Sequence, residues 1–110
     1  MGKIDYISDS DFNDKVLQSN VPVLVDFFAD WCAPCKMMEP WVEQVAEEFV
    51  GKLQVYKVNV DENPLAAASY QVMSIPTLLI FKNGAPATSI VGAVPYKTLV
   101  EKINSVLEEV

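Results

Sequence analysis

Apolar residues recur three or four positions apart in several stretches of the chain, and each such stretch predicts a helix. The first covers about Ser10–Ser19, where oxygen-bearing side chains in segment 8–11 precede the apolar face and supply a helix cap. The second covers residues 34–49 and is ended by Gly51. Pro40 lies inside it and should kink the helix without dividing it, because proline lacks an N–H and its ring crowds the preceding turn.

Two further helices are predicted in the second half of the chain. A run of three alanines lies within a short helix over about residues 62–70. Pro95 then opens the last helix, because the fixed φ of proline suits a first helical turn. The apolar face of this last helix consists of Leu99, Ile103, Val106, Leu107 and Val110.

Stretches rich in apolar, β-branched and aromatic residues alternate with the helices and predict strands, the first and third of them buried. They cover residues 22–29, 53–60 and 77–81. A further strand over residues 86–91 should return antiparallel, since Asn83-Gly84 is a strong signal for a two-residue hairpin. The pattern predicts an α/β fold in which strands joined through helices run parallel, with right-handed crossovers and helices on both sheet faces.

Composition restricts the classes of function. The 110 residues allow one compact core, so we expect a single domain over residues 1–110. The net charge of -7 disfavours nucleic acid and anionic membranes, which would repel this surface, and leaves proteins as the expected partners. No apolar run approaches the roughly 20 residues of a membrane helix, and the N-terminal residues lack a secretory signal pattern. We therefore expect a cytoplasmic protein.

The chain contains two cysteines, Cys32 and Cys35, and no histidine. Without histidine the usual Cys-His and Ser-His-Asp nucleophilic sites cannot be assembled. A zinc site would have to complete its four ligands with carboxylates or with a second chain. Because a disulfide across so short a loop removes little entropy from the unfolded chain, a purely structural bridge explains the pair poorly. Redox chemistry is the favoured hypothesis, with a metal-binding turn as the alternative.

The cysteines lie where the first buried strand ends and the second helix begins. One helical turn separates them, which brings the two thiols within bridging distance. Unpaired N–H groups and the helix dipole should lower the pKa of the Cys32 thiol, which makes it the attacking nucleophile. Cys35, expected to be the more enclosed, would resolve the mixed disulfide, and Pro34 should stiffen the turn.

Further segments, spread over nearly the whole chain, carry a family resemblance. They are Val25-Asp26-Phe27, Ala29-Asp30-Trp31-Cys32, Pro34-Cys35-Lys36-Met37, Pro40, Asn59-Val60-Asp61, Ile75-Pro76-Thr77, Phe81-Lys82-Asn83-Gly84 and Val91-Gly92-Ala93. In these segments the chain resembles the thioredoxin family. The resemblance implies a central mixed five-stranded sheet flanked by four helices, in the order β-α-β-α-β-α-β-β-α. It also implies that the protein reduces disulfides in protein substrates.

The resemblance further implies a substrate surface around Cys32. The Ile75–Pro76 peptide would be cis and face the dithiol, with the Ile75 backbone pairing to an extended substrate segment. The residues implied to contact substrate are Trp31, Ala33, Met73, Ser74, Ile75, Pro76, Val91, Gly92 and Ala93. For Trp31, filling of the core is the alternative.

Asp26 has a local argument beside the family one. An acid within an apolar strand loses solvation, which raises its pKa, and a proton acceptor near Cys35 would assist the second thiol step. Asp26 is therefore the candidate general base, and the resemblance places Lys57 nearby, where it would tune the charge of Asp26. The alternative is that the two residues form only a semi-buried ion pair.

The resemblance implies that no cofactor is bound and that the Cys32–Cys35 disulfide receives electrons from a thioredoxin reductase. We expect an NADPH-dependent flavoprotein, although a ferredoxin-linked reductase is equally compatible with these residues. We also expect no metal and a monomer. Two residues depart from the family pattern. Ala33 stands where glycine is commonest, which bears on redox potential and partner choice, and Phe28 stands where tryptophan is usual, which should leave that position to packing alone.

Two other functions stay open at this stage. A disulfide oxidase or isomerase of the same fold normally carries histidine between its cysteines, whereas this chain has Pro34. A non-catalytic binding module would not need Asp26, Trp31 and Pro76 together with both cysteines. Both alternatives are therefore disfavoured.

Overall fold

A five-stranded mixed sheet forms the centre of the molecule. A computed structural model describes residues 4–108, so Val110 of the predicted apolar face lies outside the described residues. The strands are β1 (Asp5–Tyr6), β2 (Val23–Phe28), β3 (Gln54–Asn59), β4 (Thr77–Lys82) and β5 (Ala85–Val91). The helices are the short π-helical α1 (Asn13–Leu17), α2 (Ala33–Glu48), α3 (Pro64–Ser69) and α4 (Tyr96–Leu107). The expected element order is confirmed.

The strands lie side by side in the order β1-β3-β2-β4-β5. β3 pairs in parallel with β1 and β2, whereas β4 pairs antiparallel with β2 and with β5. The prediction that every pair of strands joined through a helix runs parallel is therefore wrong for β3 and β4. The two ends of the connection, Val60 and Ile75, both pack against the cluster that contains the disulfide, so the connection leaves and rejoins the sheet at one end. The chain therefore re-enters the sheet at the end where β3 stops.

This reversal places three strand ends at one edge of the sheet. Phe28, the last residue of β2, is in register with Asn59, the last residue of β3. Phe27 is in register with Thr77, the first residue of β4. The segments that follow β2 and precede β4 therefore meet at this edge, although they are far apart in sequence.

Both faces of the sheet are covered by helices, as predicted. On one face, Leu24 and Leu78 pack with Val42 of α2 and Ile103 of α4. On the other face, α1 and α3 cover Phe27 and its neighbours. Helix α2 continues through Pro40, as predicted. No helix within residues 4–108 combines the length and apolar character needed to cross a membrane.

The first helix is shorter than predicted and is not capped by the side chains that precede it. The N-cap of α1 is Phe12, which makes no side-chain cap hydrogen bond. Asp9 caps α3 instead, since its carboxylate oxygens accept the N–H groups of Leu65 at 3.0 Å and Ala66 at 2.9 Å. Asp9, which was predicted to cap α1 because it precedes that helix in sequence, therefore caps a helix more than fifty residues further along the chain.

Candidate active site

Cys32 and Cys35 are joined by a disulfide at the junction of β2 and α2. Cys32 is the N-cap of α2, with extended backbone (φ -89°, ψ 105°), and Pro34 lies in the first helical turn. The Cys32 Sγ accepts a hydrogen bond of 3.2 Å from the backbone N–H of Cys35. The sulfur of Cys32 therefore occupies the place that a capping oxygen takes in other helices, where N–H groups favour negative charge.

Both cysteines are buried in this oxidised state. Cys32 is 3% exposed and Cys35 is 4% exposed, and they pack with Phe28 and Ala29. The two residues are equally enclosed in this state, and the greater enclosure of the Cys35 thiol in the mixed disulfide stays a prediction. The two sulfurs differ in their position at the start of α2, because the Cys32 Sγ accepts the hydrogen bond from the Cys35 N–H.

The segment before β4 lies against the disulfide. The Ile75–Pro76 peptide is cis, and Pro76 is buried. Ile75 packs against the cluster that contains both cysteines. The Pro76 carbonyl accepts the Gly92 N–H at 2.8 Å, which ties the residue after β5 to this segment.

A cleft of about 340 Å³ adjoins Ile75. Its lining consists of Trp31, Val60, Ala67, Val72, Met73, Ser74 and Ile75. Trp31 is 70% exposed and its indole N–H donates to Asp61 Oδ2 at 2.8 Å. Trp31 therefore does not fill the core, and the alternative given for it is wrong.

A second cleft, of about 250 Å³, shares Met73 and Ser74 with the first. Val91 also lines it, so the structure brings residues from three separate segments of the predicted substrate surface together. Ala33 and Ala93 are exposed but line neither of these two clefts. The two clefts share Val72, Met73 and Ser74, so their lining is continuous from Trp31 to Val91.

Asp26 is buried in the middle of the sheet, 1% exposed. It is in register with Lys57 on β3 and with Leu78 on β4. Within the described part of the chain, its Oδ1 has no hydrogen-bond partner. Burial raises the pKa of Asp26 to about 6; the Lys57 charge lowers it, and the Glu39 charge raises it. The predicted upward shift has the predicted cause.

The Lys57 ammonium is directed towards α2. It lies 3.5 Å from Glu39 Oε2, 4.6 Å from the centre of the Phe28 ring and 5.4 Å from that of Tyr6. The expectation that Phe28 contributes packing alone is therefore wrong, because its ring also contacts a cation. Glu39 was not among the residues predicted from the sequence, although its position one helical turn after Cys35 places both on one face of the helix.

No group of three or more histidine, cysteine, aspartate or glutamate residues among residues 4–108 could hold a metal ion. The cysteine pair is instead closed on itself as a disulfide. The structure therefore offers no support for a metal-binding turn.

Comparisons with known proteins identify the family. The family model described as Thioredoxin matches residues 3–105. Thioredoxin 1 of Nostoc sp. is 51% identical over 98 residues, 89% of this chain and 92% of that protein. Thioredoxin of Synechocystis sp. is 46% identical over 107 residues, 97% of this chain and 100% of that protein. Thioredoxin M4, chloroplastic, of Arabidopsis thaliana is 49% identical over 107 residues, 97% of this chain and 55% of that protein. This chain therefore spans about half the length of that relative.

The comparisons agree with the geometry of the site. The match extends over the sheet, both helical layers and the junction that carries the disulfide. The chain therefore belongs to the thioredoxin family of thiol–disulfide oxidoreductases, and Cys32 and Cys35 form a pair positioned for dithiol–disulfide exchange.

Proposed function

We propose that the protein reduces disulfides in protein substrates, with Cys32 as the nucleophile and Cys35 as the resolving thiol. The observation that carries this assignment is the hydrogen bond from the Cys35 N–H to the Cys32 Sγ at the start of α2. The same donor, together with the helix dipole, would stabilise the Cys32 thiolate of the reduced protein.

The exchange proceeds in two displacements. The Cys32 thiolate attacks one sulfur of the substrate disulfide, forms a mixed disulfide and releases the other substrate sulfur as a thiolate. The Cys35 thiol then loses its proton, attacks Cys32 and releases the second substrate sulfur. Two electrons pass to the substrate, and the protein ends in the disulfide state seen here.

Asp26 is the proposed acceptor of the Cys35 proton. It lies on the sheet face that α2 covers, two residues before Phe28, which packs on the disulfide. A pKa raised to about 6 leaves the carboxylate ionised at neutral pH yet a stronger base than an exposed aspartate. Lys57 tunes this charge from the neighbouring strand.

The substrate is proposed to bind as an extended segment along Ile75. Within residues 4–108 the N–H and C=O of Ile75 make no hydrogen bond, so both are available to an added strand. The two clefts, which meet at Met73 and Ser74, would take its apolar side chains, with Trp31 and Met73 as exposed contacts. Ala33, Gly92 and Ala93 complete the proposed surface, and the buried Pro76 fixes the backbone that follows Ile75.

A thioredoxin reductase returns the disulfide to the dithiol, and we propose an NADPH-dependent flavoprotein. Two of the relatives named above come from cyanobacteria and the third is named as chloroplastic, so a ferredoxin-linked reductase is the second candidate. Turnover with each purified reductase distinguishes them. The monomeric state and the cytoplasmic location stay predictions, which light scattering and cell fractionation would test.

Reduction of insulin disulfides, with dithiothreitol as the electron donor, tests the function. We expect activity in the parent protein, none in Cys32→Ser, and a trapped mixed disulfide in Cys35→Ser. An inactive parent protein would indicate a binding module. A strongly oxidising equilibrium with glutathione would indicate an oxidase instead.

A further inference from the structure

Three charged side chains extend from the interior towards solvent on the α2 side of the sheet. Asp26 is fully buried, the Lys57 side chain is 7% exposed and the Glu39 side chain is 48% exposed. They come from β2, β3 and α2 respectively, so only the folded chain brings them together. Glu39 is the member of this group with direct access to water.

The position of the Lys57 ammonium is unexpected for its place in the sheet. Lys57 is the register partner of Asp26 on a neighbouring parallel strand, so the two side chains project from the same face of the sheet. The ammonium is nevertheless 3.5 Å from Glu39 Oε2, while one Asp26 oxygen has no hydrogen-bond partner in the described part of the chain. The rings of Phe28 and Tyr6 flank the ammonium in this position.

We propose that Glu39 is a positioning residue that holds the Lys57 ammonium away from Asp26 and thereby sets the protonation state of the buried carboxyl group. Its relevance to catalysis rests on the proposed role of Asp26 as the base. Glu39 touches no reacting atom and acts on the reaction through Lys57 and Asp26.

Two electrostatic effects of Glu39 both disfavour the ionised form of Asp26. Glu39 competes with Asp26 for the Lys57 ammonium, and it adds a negative charge that disfavours ionisation of Asp26. The neighbouring groups do not oppose this effect: Leu78, the register partner of Asp26 on β4, is apolar, and the cysteines at the start of α2 are joined as a disulfide and do not titrate. Tyr6 of β1 contacts the ammonium through its ring. Removing the Glu39 charge should therefore make Asp26 more acidic.

The direct test is the titration of the Asp26 carboxyl carbon by NMR in the oxidised protein, the state of this structure. In Glu39→Gln we expect the Asp26 midpoint to fall by about 0.5 pH unit, since a half-exposed ion pair is partly screened. The matched control is Glu47→Gln, which removes the same charge from an exposed position two turns further along α2. That position is about 12 Å further along the helix, so it should leave the midpoint unchanged.

A double-mutant cycle tests whether Glu39 acts through Lys57. In the Lys57→Met background, the shift caused by Glu39→Gln should shrink to less than half, because no cation is left to position. Glu39→Asp, which keeps the charge, should restore most of the parent midpoint. An Asp26 midpoint that stays or rises in Glu39→Gln, or an undiminished shift without Lys57, would overturn the proposal.

The pH dependence of insulin reduction separates this proposal from the function on which it rests. If Asp26 is the base, the acid limb of the rate profile should move to lower pH in Glu39→Gln by the same amount as the titration. A titration that moves while the rate profile does not would support the positioning role of Glu39 and overturn the role of Asp26 as base.

Discussion

Asp26 shows at the scale of one residue how a functional group is maintained at a cost in stability. The protein buries a carboxyl group with one oxygen unpartnered in the described part of the chain. Its pKa is raised from 3.8 to about 6, so the folded protein binds the proton more tightly than the unfolded chain does. Ionised Asp26 therefore destabilises the fold, and this penalty develops as the pH rises from about 4 to 6.

Asp26→Asn should stabilise the oxidised protein at neutral pH. The shift corresponds to about 3 kcal/mol as an upper value, because the uncharged amide avoids the penalty of the buried carboxylate. The gain should be full above pH 6 and vanish below pH 4, where both folded and unfolded Asp26 are protonated. Denaturant unfolding at pH 3.5 and pH 7.5 measures it, with Asp14→Asn on the exposed face of α1 as control. A gain of equal size at both pH values would contradict this explanation.

Asp26→Asn should also slow insulin reduction at neutral pH while leaving the first attack by Cys32 intact. The amide cannot accept the Cys35 proton, so the mixed disulfide should persist longer. Rapid quenching, followed by mass measurement of the covalent complex, would detect this accumulation. Equal rates in mutant and parent across pH would show that Asp26 is not the base.

At the scale of secondary structure, the β4–β5 hairpin depends on a turn that only a few residues can form. Asn83 and Gly84 connect the strands with positive φ values of 55° and 80°, as a tight two-residue turn requires. A Cβ atom on Gly84 would lie 3.0 Å from the Leu17 carbonyl oxygen. The glycine therefore serves both the backbone conformation of the hairpin and its close approach to the end of α1.

Gly84→Ala should destabilise the protein more than Gly51→Ala. Both glycines have φ near +80°, so each alanine incurs about 1 kcal/mol of backbone strain. A Cβ at Gly51 meets nothing within 4 Å, whereas at Gly84 it meets backbone that must move. We expect the contact to add about 1 kcal/mol at Gly84, measured as the difference in unfolding free energy. Equal losses of unfolding free energy in the two variants would show that the end of α1 moves away from the added Cβ at no energetic cost.

At the scale of the whole molecule, Asp9 joins the N-terminal segment to the part of the chain that carries the substrate surface. Its side chain caps α3, and its backbone N–H donates to Asn63 Oδ1 at 3.0 Å. Because Asn63, the local N-cap residue, makes no side-chain cap bond to α3, the helix relies on this distant carboxylate. The loop that follows α3 leads directly to Met73 and Ile75.

Asp9→Ala should therefore destabilise the protein by about 1 kcal/mol, because two N–H groups at the start of α3 lose their acceptor. Asp14→Ala, an exposed acidic position on α1, serves as the control. Hydrogen exchange should show faster opening of α3 in Asp9→Ala than in the control. If the loss of protection were confined to the segment before α1, the cap would not contribute to α3.

The order of elements, the two-layer helical cover, the hairpin and the cysteine pair could be predicted because each depends on local pattern. The burial of Asp26 was also predictable, since apolar residues surround it in its own strand. The direction of β4 was not, because it depends on the packing of both ends of the connection after β3 against the disulfide cluster. Glu39 was missed for a similar reason: its significance comes from Lys57, which is adjacent only after β2, β3 and α2 have packed.

The sequence by itself determined which segments become strands and helices, and which residue types could carry thiol chemistry, because period, turn residues and the absence of histidine are local properties. The tertiary structure decided which distant groups meet. It placed Ile75 against the disulfide, gave the Asp9 cap to α3 and directed the Lys57 ammonium to Glu39. These pairings depend on strand order and on the course of short connections, for which the spacing of residues along the chain holds no signal.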